Sequence, residues 1–284
     1  MRLAALTGLL SAAVVVTSAQ QAQVFRAAVD LVPVFVTATT ADGAFARDLT
    51  KEDFTVLDNG KPQSIVSFSS EAQTLSVSVI LDTSGSMQAA LPRVFGAARA
   101  FVDMLTAEDR VMMGSLYFVG PPISSDKTRI RTSLDMLPRD PGSPVFSAID
   151  RSLTTLLLEP NRRVVVIYTD GKNADIKRFP KTTAGQLLSR VESASVMVYA
   201  IGFEGASISG DVKKIAARSG GRATELRASD DLGRALTGVA DELHHQYLLG
   251  FTPAVFDGKT HLLDVRVKRE GISVRARQSY IAAK

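Results

Sequence analysis

Residues 75–86 read Leu75-Ser76-Val77-Ser78-Val79-Ile80-Leu81-Asp82-Thr83-Ser84-Gly85-Ser86. A short apolar run of strand length ends in an aspartate followed by small hydroxyl residues and a glycine. The pattern returns at Val164-Val165-Val166-Ile167-Tyr168-Thr169-Asp170-Gly171, where a continuous apolar run again ends in an aspartate. Between and beyond these runs the chain alternates. Leu91, Val94, Phe95, Ala98, Phe101, Val102 and Leu105 recur at helical spacing, and Val111 to Val119 reads as a strand. Val145 to Leu158 is helical, with Ile149, Leu153 and Leu156 on one face. A helix around Leu187, Leu188 and Val191 precedes the strand Val196 to Ile201. Further helices run through Val212 and Ile215 to Gly220-Gly221, and from Leu232 to Leu243. The β-α-β-α order predicts an α/β fold: a doubly wound, mostly parallel sheet flanked by helices, spanning residues 74–247.

The flanks are a different material. Val32, Val34 and Val36 alternate with Pro33, Phe35 and Thr37, and Thr50-Lys51-Glu52-Asp53 has the form of a capping box. Phe54 to Leu57 leads into Asp58-Asn59-Gly60, a tight-turn signal, and a hairpin return through Ile65 to Phe68 is expected. At the other end Leu263, Val265 and Val267, the turn Glu270-Gly271, and Ile272, Val274 and Ala276 predict a second hairpin. Isolated hairpins are marginal in water, so the segments 20–73 and 248–284 are expected to pack together as a small β unit.

The first nineteen residues run from Met1-Arg2 through an almost uncharged stretch, Leu3 to Val16, to Thr17-Ser18-Ala19. This is the order of a secretory signal peptide, 1–19, and predicts a secreted or periplasmic protein. The apolar run is shorter than the roughly 20 residues of a spanning helix, so no stable membrane span is expected after cleavage.

Composition narrows the chemistry. The 284 residues exceed one small domain, and 45% hydrophobic with 22% charged residues is the balance of a folded protein. A net charge of +4, spread along the chain, argues against nucleic acid as a partner. The absence of cysteine removes disulfides, thiolate metal sites and thiol nucleophiles, and three histidines leave little imidazole chemistry. His244-His245 does not make a second metal site, because adjacent residues on a helix point apart.

In an open α/β sheet ligands bind beyond the carboxyl ends of the strands, where strand order reverses. Asp82 and Asp170 can therefore share one crevice with the hydroxyls of Ser84 and Ser86. Carboxylates and hydroxyls without histidine or sulfur suit a hard divalent ion such as Mg²⁺. The same residues also suit a strand-to-helix turn in which Ser84 or Ser86 caps a helix.

At this point the chain resembles the von Willebrand factor A domains. Asp82-x-Ser84-x-Ser86 is similar to their metal-ion-dependent adhesion site. Gly142-Ser143-Pro144 falls where the family has its next hydroxyl ligand, and Thr169-Asp170-Gly171 where it has its second acidic residue. Val198-Tyr199-Ala200-Ile201-Gly202 and Ser219-Gly220-Gly221-Arg222 look like its later strand and helix end. The flanking segments 48–54 and 247–251 resemble an acidobacterial subgroup.

The resemblance implies a Rossmann-like fold and a metal site of Asp82, Ser84, Ser86, Ser143 and Asp170. The serines would bind directly, Ser143 in a state-dependent way, and the aspartates largely through water. The implied cofactor is a divalent cation, Mg²⁺ first, with Mn²⁺ and Ca²⁺ as alternatives. The implied function is a non-enzymatic adhesion module taking a protein or cell-surface ligand through an acidic side chain. Ser143 precedes Pro144 and so also reads as a helix cap before a first-turn proline. Lys172 adds a cation beside the site that favours an anionic partner or weakens metal binding. Two other readings compete: a phosphatase with Asp82 as nucleophile, which lacks the usual second aspartate because position 84 is serine, and a metal-free scaffold.

Overall fold

The computed structural model describes residues 31–170, 173, 179, 181–203, 205–227 and 231–283. The leader expected at 1–19, and Lys172, lie outside them. Strand β1 (Val32–Thr40) is followed by a 3-10 turn at Lys51–Asp53, β2 (Phe54–Asp58), β3 (Lys61–Gln63) and β4 (Ser67–Ser69). The alternating region comprises β5 (Leu75–Leu81), α1 (Leu91–Met104), β6 (Arg110–Ser115), α2 (Lys127–Asp135), α3 (Val145–Leu156), β7 (Arg162–Thr169), α4 (Ala184–Ala194), β8 (Met197–Gly202), α5 (Gly210–Ser219), β9 (Ala223–Glu225) and α6 (Leu232–His244). Four strands follow: β10 (Tyr247–Phe251), β11 (Thr260–Val267), β12 (Ile272–Ala276) and β13 (Ser279–Ile281).

Strands β6-β5-β7-β8-β9 form one parallel sheet in that order. The chain leaves β5 for β6 on one side and then crosses to β7 on the other, so the order reverses between β5 and β7. Every residue of β5 is buried, because helices cover both faces. Val77, Val79 and Leu81 pack with Val94 and Phe101 of α1 and Val239 of α6. Ile80 joins Val165 and Ile167 of β7, Ile149 of α3 and Leu187 of α4 on the other face. The expected α/β class is the one observed.

The terminal segments form two antiparallel sheets, β12-β1-β10-β4 and β13-β11-β2-β3, enclosing a third core that includes Val34, Val36, Val56, Tyr247, Phe251, Leu263 and Tyr280. The capping box at Thr50 is present, with the Asp53 carboxylate accepting from the Thr50 N–H at 2.7 Å.

Both expected hairpins are revised. Glu270-Gly271 does turn, and Gly271 has φ +73°, but β11 pairs with β2 and β13 while β12 pairs with β1. Leu263 on β11 and Ile272, Val274 and Ala276 on β12 all belong to the third core. The two apolar stripes meet across that core from separate sheets instead of side by side. Near the N-terminus only Lys61–Gln63 pairs back onto β2, as an edge strand containing Pro62, which lacks an N–H. The chain then moves to the other sheet, where Ser67–Ser69 pairs with β10.

Two elements of the alternating region were not foreseen. Helix α2 has only Ile130 and Leu134 as buried apolar residues, but Asp126 caps it by accepting from the N–H groups of Thr128 and Arg129. Strand β9 is three residues long. The strand expected over Val111–Val119 ends at Ser115, for a reason found in the site.

Candidate functional site at the strand ends

Asp82 and Asp170 follow directly on β5 and β7, the two strands that flank the reversal of strand order. Asp82 is fully buried. Its Oδ1 accepts from the Ser84 N–H at 3.0 Å, and its Oδ2 accepts from the Thr169 hydroxyl at 2.9 Å. Ser86 Oγ donates to Asp170 Oδ2 at 2.9 Å and lies 3.2 Å from Ser84 Oγ. Four of the five candidate ligands thus form one constellation. It grades from the buried Asp82 and Ser84 through the half-buried Asp170 to the exposed Ser86. Burial pushes the Asp82 carboxyl above its ordinary value; its hydrogen bonds oppose this, and the nearby charge of Asp170 adds to the rise.

The hydroxyls are not consumed in capping. Ser84 stands before a 3-10 turn at Gly85–Met87 and makes no side-chain cap bond. Helix α3 begins at Val145, with Pro144 in the cap position, so Ser143 is not the cap that its place before a proline implied. Ser143 is buried, and its carbonyl accepts from the Val145 N–H at 2.9 Å.

The loop that carries Ser143 is tied to the strand ends by Asp140, a residue that the sequence alone does not single out. The buried carboxylate of Asp140 accepts from the Thr83 N–H at 3.2 Å, Ser115 Oγ at 2.6 Å, Leu116 N–H at 2.9 Å and Tyr117 N–H at 3.0 Å. Thr83 Oγ1 in turn donates to the Pro138 carbonyl at 2.7 Å. Asp140 therefore ties the ends of β5 and β6 to the loop that carries Ser143. Drawing in the N–H groups of residues 116 and 117 also turns the chain out of β6 at Ser115. Asn173 adds a further tie, its Oδ1 accepting from the Phe146 N–H at 3.1 Å.

The constellation itself offers only hard oxygens: the carboxylates of Asp82 and Asp170 and the hydroxyls of Ser84 and Ser86. Among the described residues no group of three or more His, Asp or Glu side chains gathers to hold a metal. Two close carboxylates, one of them buried, repel each other until a cation compensates them, so the residues present fit an oxygen-seeking divalent ion. The adjacent histidines diverge: His244 Nε2 bonds Asp109 Oδ2 at 2.8 Å, while His245 Nδ1 bonds the Asp241 carbonyl at 2.7 Å and its ring stacks on Phe45.

A doubly wound parallel sheet with an acidic and hydroxylic crevice at its switch point defines the class. Residues 76–237 match the von Willebrand factor type A domain family, and the chain belongs to that family. Among solved structures it is similar to a von Willebrand factor type A protein from Catenulispora acidiphila, at 12% identity over 80% of this chain and 72% of that one, with a TM-score of 0.51. It is also similar to an aerotolerance-related membrane protein from Bacteroides fragilis NCTC 9343, at 20% identity over 60% of this chain and 98% of that one, TM-score 0.47. A third is the vWF domain of the type V pili tip protein Mfa5 from Porphyromonas gingivalis, at 9% identity over 60% and 95% of the two chains, TM-score 0.48. No curated protein sequence matches the chain. Among the described residues no helix is long and apolar enough to cross a membrane.

Proposed function

We propose that the protein is a secreted, non-enzymatic interaction module that holds a divalent ion, Mg²⁺ in the first instance, at Asp82, Ser84, Ser86, Ser143 and Asp170. When bound, the ion supplies an electrophilic centre for an acidic group on a protein or cell-surface partner. The observation that carries the reading is the hydrogen-bonded constellation at the ends of β5 and β7, in a chain of this family, with its serine hydroxyls left out of helix capping. Export is supported by the order of residues 1–19. The phosphatase reading loses ground because the second aspartate that such chemistry usually needs two residues on is absent, position 84 being serine.

Calorimetric titration of Mg²⁺ and Mn²⁺ into chelator-treated protein tests the metal. One-site binding that disappears in Asp82→Ala supports the proposal. Equal heats in wild type and a folded Asp82→Ala protein return the metal-free scaffold to first place.

A further inference from the structure

At the opposite end of the parallel sheet, where β7 and β8 begin, four arginines converge from three segments of the chain. Arg162 and Arg163 open β7, Arg218 lies at the end of α5, and Arg277 lies just after β12. They line one small enclosed cavity of about 20 Å³, room for a single water, and Glu192 is the one carboxylate in its wall. Arg162 and Arg163 also line an adjoining open cleft of about 420 Å³, together with Gln73, Thr74 and Asn161. This end is roughly 25 Å from Asp170, the length of β7 at about 3.3 Å per residue.

The charges here are not matched. Glu192 is buried and already accepts from Ser279 Oγ, and it stands 3.4 Å from Arg218. The other three arginines donate to neutral groups. Arg162 bonds the Leu243 carbonyl at 3.0 Å and the Gln246 side chain, and stacks on Phe35 at 3.9 Å. Arg163 bonds the carbonyls of Glu159 at 3.1 Å and Ala194 at 3.2 Å. Arg277 bonds the carbonyls of Ser279 at 2.9 Å and Glu192 at 3.1 Å, and Ser195 Oγ at 3.1 Å. The Nε atoms of Arg162 and Arg218 are buried without a partner. Buried guanidinium groups are normally compensated by anions, because an unpaired charge in the interior is costly.

We infer that the cleft at the start of β7 binds a small oxyanion of the phosphate or sulfate class, seated against Arg162 and Arg163 with Arg218 and Arg277 behind them. The planar fork of a guanidinium matches two oxygens of such an ion, and the open cleft has the room for a tetrahedral ion that the enclosed cavity lacks. Burial pushes Arg162 and Arg277 down to about 10, and the charges of Glu242 and Glu192, which act in the opposite direction, do not make up for it. Pro33 and Phe35 of β1 line the same walls, so a bound anion also braces the terminal β sheets against the parallel one.

The test titrates sodium phosphate, sodium sulfate and sodium chloride, at constant ionic strength, into full-length protein stripped of divalent ions on a chelating resin. Stripping excludes binding through the metal site. Saturable one-site binding of phosphate or sulfate, at least tenfold weaker in Arg163→Gln and in Arg218→Gln, supports the site. A Mg²⁺ titration that stays at its wild-type value in both variants shows that they are folded. Methyl phosphate binding as tightly as phosphate would assign the oxyanion to a larger ligand, and weaker binding to the free ion; both uphold the site. Chloride matching phosphate at each concentration overturns the proposal, as does phosphate binding unchanged by either substitution. The wild-type titration stands even where a variant fails to fold.

Discussion

The hydroxyl of Thr37, on β1, donates to Oε1 of Glu242, on α6, at 3.1 Å across 205 residues of sequence. Glu242 is buried and also accepts from Tyr199, from Gln246 at 3.3 Å and from Arg275 after the chain has returned through β12. One carboxylate thus joins the parallel sheet, its last helix and both terminal segments. Its surroundings push the Tyr199 hydroxyl well above its usual range, burial first and the Glu242 charge second. Glu242→Ala should destabilise the fold by about 2–3 kcal/mol, because it leaves the half-buried Arg275 guanidinium without its carboxylate and the Tyr199 and Thr37 hydroxyls without their acceptor. Urea denaturation should show the midpoint falling by that loss divided by the m-value.

The same joint couples the two ends of the chain. Strand β12 pairs with β1 from Val36↔Ala276 to Thr40↔Ile272, and β11 pairs with β2 from Asp58↔Leu263 to Phe54↔Val267. Deleting residues 257–284 removes β11, β12 and β13 and exposes the edges of β1 and β2 together with their core. Hydrogen exchange over residues 32–58 should accelerate at least tenfold in the truncated protein. Unchanged protection there would show that β10 and β3 suffice to hold β1 and β2.

Acid sensitivity has an identifiable source in Asp109. Burial pushes its carboxyl up, but the His244 ring at 2.8 Å and the N–H groups of Leu75 and Thr106, each at 2.8 Å, outweigh this and hold it below the ordinary 3.8. A carboxyl that is more acidic in the folded state than in the unfolded chain contributes stability that is complete above 3.8 and is lost as pH falls through its lower folded value. Asp109→Asn should therefore lower stability at pH 7 and flatten its decline below about pH 4. Thermal melts of both proteins across that range measure the difference.

The parallel sheet was legible because strands buried on both faces must be continuous apolar runs, and Val79 to Leu81 and Val164 to Ile167 are such runs. Asp82, Ser84, Ser86 and Asp170 were legible because each lies within a few residues of the end of such a run. Asp140 was not. It sits in Arg139-Asp140-Pro141-Gly142, an ordinary polar loop, and its role depends on N–H groups brought to it by two strands more than twenty residues away. The arginine cluster was hidden in the same way, since each arginine alone reads as surface charge. The hairpin expected of β11 and β12 failed because period-two alternation marks a half-buried strand without naming its neighbour; a hairpin and two facing walls of a sandwich share one pattern.

Asp140→Ala tests the loop-tying role. Removing a buried carboxylate strands three backbone N–H groups, so the expected loss is about 2–4 kcal/mol. Affinity for Mg²⁺ should fall by about tenfold or more even in the fraction that folds, in line with the loss of groups that orient ligands. A stable variant with unaltered Mg²⁺ affinity would show that the Ser143 loop is positioned by other contacts.

Asp82→Ala and Ser143→Ala separate the metal from the partner. Asp82 lies at the buried base of the constellation, where Ser84 and Thr169 orient it, so its loss should abolish metal and partner binding together. Ser143 caps no helix, so Ser143→Ala should change stability by less than about 0.5 kcal/mol, against about 1 kcal/mol for a lost N-cap. If its hydroxyl binds the ion in a state-dependent way, partner capture should weaken more than Mg²⁺ affinity does. The measurement is a metal-dependent pull-down from the envelope and secreted fraction of the native organism, with a chelator control, run beside calorimetry on the same preparations. Partner capture that survives excess chelator, or persists in a folded Asp82→Ala protein, would place the interaction surface away from the strand ends.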